Sequence, residues 1–109
     1  MATYEPLLAA RDIYHRTGLT IDSTGVIYDL NTLIGPGSRA KRIVMRNRST
    51  TIPVFFELDR PLASVVTTGA DASRICAPGE ARTIACYVRQ AAFRCDGATT
   101  ALFDVEFLG

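Results

Sequence analysis

APGEARTIACYV, residues 77–88, holds the pattern on which the reading of the fold depends. Proline presets φ at the second position of a turn, and glycine accepts positive φ at the third, so Pro78-Gly79 marks a corner, with Glu80 solvated beside it. Beyond it Ile84, Cys86 and Val88 alternate with Thr83, Ala85, Tyr87 and Arg89. A period of two is the signature of a strand buried on one side.

The same corner occurs upstream. GPGSRAKRIVM, residues 35–45, places a second Pro-Gly turn before a second strand. There Ile43 and Met45 share one face, and Arg42, Val44 and Arg46 the other. In IPVFFEL, residues 52–58, Ile52, Val54, Phe56 and Leu58 share one face, expected inward, and Pro53, Phe55 and Glu57 share the other. Alternation also predicts strands over VIYDLNTLI (26–34) and ALFDVEFLG (101–109), the latter with Phe103, Val105 and Phe107 inward and Asp104 and Glu106 outward. LASVVTT (62–68) is β-branched enough to be a strand. Turn signals recur about every 8–12 residues, the rhythm of an antiparallel sandwich or small barrel.

The fold class expected is therefore all-β: a small antiparallel β-sandwich, immunoglobulin-like or jelly-roll-like, spanning residues 25–109. Residues 1–24 lack the alternation. EPLLAARDIY (5–14) suits either a short helix, with Pro6 in its first turn, or an extended arm. Its apolar residues Tyr4, Leu7, Leu8, Ile13 and Tyr14 are then candidates for contact with a neighbouring subunit.

A chain of 109 residues fits one domain. Its formal net charge of +1 provides no global field to hold nucleic acid or an anionic membrane. No run of apolar residues is long enough for a membrane-spanning helix, and the first residues lack the pattern of a signal peptide, so synthesis in a cytoplasm is expected. Cys76, Cys86 and Cys95 are odd in number and form no Cys-x-x-Cys pair, so neither a disulfide framework nor a zinc cage is expected. Asn47-Arg48-Ser49 fits the glycosylation pattern by chance in this setting.

Catalytic chemistry finds little to use. His15 is the single histidine, and neither a nucleophile elbow nor a phosphate-cradling loop is present. No enzymatic activity and no cofactor are expected. The local concentration of charge is Arg39, Lys41, Arg42, Arg46 and Arg48. Arg42, Arg46 and Arg48 share a strand face and form a candidate interface for an acidic partner. The competing reading is a solvated outer face whose arginines pair with Asp104 or Glu106 across the sheet. Nucleic acid is not expected there, because no aromatic platform interleaves the charges.

Two segments carry a resemblance: RIVMRNRSTTIPVFFEL (42–58) and ICAPGEARTIACYV (75–88). A basic-flanked strand, an Asn-Ser turn, an apolar strand, a variable loop and a Pro-Gly-Glu corner into a last strand resemble small accessory virion proteins of tailed phages. The resemblance implies a capsid decoration, fibre-base or other virion-surface component. Such a protein binds other virion subunits, forms homo-oligomers and carries no catalytic residues. It is made in the host cytoplasm and ends on the virion.

Overall fold

The computed structural model describes residues 12–109. Among the described residues, eight strands form two four-stranded antiparallel sheets. The strands are β1 (Asp12–Ile21), β2 (Val26–Asp29), β3 (Ala40–Asn47), β4 (Val54–Leu58), β5 (Ile75–Cys76), β6 (Ala81–Val88), β7 (Gln90–Arg94) and β8 (Ala101–Leu108). Sheet 1 runs β1-β8-β3-β6 and sheet 2 runs β2-β7-β4-β5. The all-β sandwich is thus as expected. Its strand order is that of a jelly roll, in which interleaved Greek keys alternate between two sheets. An immunoglobulin sandwich would group its strands differently.

The core lies between the sheets. Ile43 and Met45 from β3 and Phe103, Val105 and Phe107 from β8 meet Tyr28, Val54, Phe56 and Phe93 from sheet 2. Phe93 sits centrally, with ring centroids 5.1 Å from Phe103 and 6.3 Å from both Phe56 and Tyr28. These tilted contacts add to the burial of the rings themselves. The inward residues of β3, β4, β6 and β8 are those that alternation selects.

Both Pro-Gly corners are turns of one kind. Ser38 N–H donates to the Gly35 carbonyl at 3.2 Å, and Glu80 N–H to the Ala77 carbonyl at 2.9 Å. Gly37 and Gly79 take φ of 81° and 74°, which the third position of a type II turn requires. At the second corner the Glu80 carboxylate also accepts from Ala77 N–H at 2.8 Å, so Glu80 locks the turn rather than standing free in solvent.

Three further expectations need correction. Residues 12–21 are not an arm or a helix; they form the edge strand β1, paired along β8. Tyr14 lies opposite Phe107 and Leu19 opposite Phe103, five residues apart on β1 but four on β8. That extra residue is a bulge at Gly18, whose φ is 68°, and it hides the alternation. Residues 1–11 lie outside the described residues, and with them Tyr4, Leu7 and Leu8. Next, β2 ends at Asp29, whose carboxylate caps the single helical turn α1 (Leu30–Leu33) by accepting from Asn31 N–H at 3.0 Å.

The third correction concerns residues 62–68, which are not a strand. They begin with a 3₁₀ turn at Leu62–Ser64, and the β4–β5 connection then lies over the outside of sheet 2. Val65, Leu62 and Ala70 pack there on Phe55, Ala92 and Ile75. Phe55 is consequently only 8% exposed, although alternation directs it outward. Sheet 2 is therefore buried on both faces around Phe55.

Asn47 is the one buried polar residue among the described residues, at 1% exposure. Its Nδ2 donates to the carbonyls of Ile52 at 2.7 Å and Cys76 at 3.0 Å, and its Oδ1 accepts from Ser49 N–H at 3.0 Å. Ser49 Oγ in turn accepts from Ile52 N–H at 3.0 Å. The Asn-x-Ser triplet serves the turn, in line with its fit to the glycosylation pattern being chance: Asn47 ties the β3–β4 turn to β5, and its amide is too enclosed to accept a glycan.

Candidate functional site

The two outer faces differ. Sheet 2 carries the β4–β5 connection, whereas no described segment crosses the outside of sheet 1. Strand alternation brings onto that open face Arg42, Val44 and Arg46 from β3, Asp104 and Glu106 from β8, His15 from β1, and Thr83 and Ala85 from β6.

Register fixes the order of the charges. Arg46 lies opposite Asp104, Val44 opposite Glu106, and Glu106 opposite His15 on its other side. Arg48 Nη1 reaches Asp104 Oδ1 at 3.4 Å. The bulge in β1 brings Gly18 N–H to the same Oδ1 at 2.8 Å. Asp104 is thus the hub of the face, held by Gly18 and Arg48 and flanked by Arg46. Arg42 lies opposite Leu108 and Ala85, and neither offers it a charge.

Arg42, Arg46 and Arg48 are therefore exposed and share one side of the sandwich, as the sequence indicates. They do not form a purely basic stripe. Asp104 neutralises part of it, in the manner of the solvated-face reading. An exposed pair such as Arg48–Asp104 contributes only about 0–1 kcal/mol to folding, so these charges are largely available to a partner. Ile13 and Tyr14 behave differently. Both are half-buried against the molecule's own core, and the Tyr14 ring lies 5.9 Å from Tyr28 and 6.2 Å from Phe107. They pack on the sandwich's own core.

A groove of about 320 Å³ crosses the open face, lined by Asp12, His15, Thr17, Val44, Arg46 and Glu106 among others. His15 Nδ1 pairs with Asp12 Oδ2 at 2.8 Å on its rim. A second depression joins it beside Arg46, Arg48, Asp104 and Gly79. Asp12, His15 and Thr17 are missing from the sequence-derived candidates, because the bulge conceals β1 as a strand. The floor is a shallow sheet surface with charged walls, a shape suited to docking a protein segment through ion pairs around a small apolar strip.

The cysteines offer no reactive thiolate. Burial pushes Cys76 and Cys95 up from 9.0 to about 11, with the nearby carboxylates of Glu80 and Asp22 adding to it. Cys86 is raised as well, again chiefly by burial. A thiol held neutral by the fold stabilises it fully below pH 9.0, and that stability is lost as pH rises from 9.0 towards about 11. Urea unfolding at pH about 8 and about 10.5 is expected to show a loss of roughly 1–3 kcal/mol per buried thiol. In Cys76→Ala the loss should shrink by one thiol's share. An unchanged pH dependence would remove Cys76 from this account.

Compared with protein families, with curated proteins and with solved structures, the chain matches none.

Proposed function

We propose that this chain is a structural component of a tailed-phage particle, a decoration or attachment subunit that binds neighbouring subunits and has no catalytic role. The observation that carries this reading is the inequality of the two outer faces. One sheet is closed by the chain's own β4–β5 connection; the other presents a grooved, mixed-charge surface around Asp104, Arg42, Arg46 and Arg48. The jelly-roll strand order, which recurs in virus shell subunits, supports it, although the same order also serves lectins and cupins. Tyr4, Leu7 and Leu8 in residues 1–11 supply a second contact in this reading, just ahead of the edge strand β1.

A stand-alone protein-binding module is the second reading. It is favoured by the polarity of the open face, since permanent interfaces are usually more apolar. Mass spectrometry of purified particles separates the two: a virion subunit is recovered in fixed stoichiometry, and a module is not.

The face itself is tested by Arg42→Glu combined with Arg46→Glu. Co-sedimentation with particles should weaken by at least about tenfold, as expected when facing charges become alike. Thermal unfolding should change little, because both side chains are exposed. Full attachment by the double variant would exclude this face as the docking surface. Deletion of residues 1–11 keeps every described strand and tests the N-terminal contact. Deletion of residues 1–20 removes almost all of β1 and should unfold the sandwich.

A further inference from the structure

Sheet edges are where β-proteins associate, because an edge strand presents unpaired N–H and C=O groups. The four edges of this sandwich are unequal. β5 has two residues and β2 four, and β1 is broken by two register shifts and carries Asp12, His15 and Arg16. β6 is eight residues long and contains neither proline nor lysine. Its ladder to β3 runs without a shift from Ala81 to Ala85, and among the described residues no strand lies on its other side. Residues 1–11 join the chain at β1, the opposite edge of the same sheet.

We propose that the β6 edge pairs with β6 of a second copy of this chain, antiparallel and centred on Thr83, joining two sheets 1 into one continuous eight-stranded sheet. The side chains argue for a second copy. Over the regular stretch the outward residues are Ala81, Thr83 and Ala85, all exposed and uncharged. Centring on Thr83 places threonine against threonine and alanine against alanine, a register with no like charges in contact and a favourable central pair. The charged residue of the stretch, Arg82, is turned away from this strip. Its Nη1 donates to the Ile75 carbonyl at 2.8 Å, and its guanidinium sits 5.5 Å from the Phe56 ring centroid. Tyr87, 67% exposed, stands beyond Ala85 and faces the partner's Pro78-Gly79 turn in this register.

Sedimentation equilibrium of the purified full chain should show a monomer–dimer equilibrium in the micromolar range. Thr83→Lys and Thr83→Glu place like charges at the two-fold centre, and each should weaken dimerisation by at least about tenfold. Mixing the two variants should restore a dimer. Thr83 is exposed and lies opposite Val44 within its own sheet, so both variants should retain the wild-type unfolding transition. If one of them fails to fold, the other alone still reads the effect. A wild-type chain that stays monomeric, or a dimer indifferent to both substitutions, overturns the pairing; so does a Lys–Glu mixture that gains nothing over the separate folded variants. The readout is independent of particle binding, so dimerisation without attachment would sink the virion reading and leave this one standing.

Discussion

Phe56→Ala is expected to destabilise the protein by roughly 3–5 kcal/mol, and Phe55→Ala, the adjacent residue, by roughly 2–4 kcal/mol. Phe56 is 1% exposed and packs tilted against Phe93 with ring centroids 6.3 Å apart, inside the sandwich. Removing its ring loses transfer free energy and leaves a cavity that neighbouring rings cannot collapse into. Phe55 points the other way and is buried by Val65 and Leu62 from the β4–β5 connection. A surface loop settles into vacated space more readily than a strand does, which makes this loss the smaller one. For a domain with total stability of about 5–15 kcal/mol, either change is severe. Chemical denaturation of the two variants decides the matter. A Phe55→Ala protein within about 0.5 kcal/mol of wild type would mean that the connection does not rest on sheet 2.

Asn47→Leu should cost about 2–4 kcal/mol despite conserving much of the side-chain volume. The Asn47 amide serves the Ile52 and Cys76 carbonyls and receives Ser49 N–H. Leucine would leave these groups facing apolar surface, and an unsatisfied buried polar group costs about 1–3 kcal/mol. Asn47→Asp retains the acceptor for Ser49 but loses both donors, and it adds a charge to a closed site. It should be no better tolerated. Urea unfolding of both variants measures this, and a neutral Asn47→Leu would show that water replaces the amide.

The same two sites show what the sequence makes legible. Period-two patterning alone identifies the inward residues of β3, β4, β6 and β8, because each of those strands keeps its register to the core. Phe55 is misjudged because alternation reports which way a side chain points, not whether another segment covers it. β1 is missed because the bulge at Gly18 shifts Tyr14 and Leu19 out of phase. With β1 go His15, Asp12 and Thr17, three of the eight residues that line the groove. Arg42, Arg46 and Arg48 are legible as one face, since their spacing survives intact. Their partial neutralisation by Asp104 depends on which strands are neighbours, and spacing alone does not determine that.

The strand order also has a consequence in time. β8 lies between β1 and β3, and β7 lies between β2 and β4. Only β4 and β5 are both consecutive in sequence and paired, and residues 59–74 separate them. Among the described residues no tight hairpin is available to nucleate growth, so nearly every ladder must first close a long loop of chain. Topologies of this kind fold in milliseconds to seconds rather than microseconds. On the ribosome the constraint is sharper. Early strands wait with apolar faces uncovered until the last strand emerges to slide between them. A nascent chain in that condition is prone to aggregate and is the kind of client that chaperones hold until β8 has emerged.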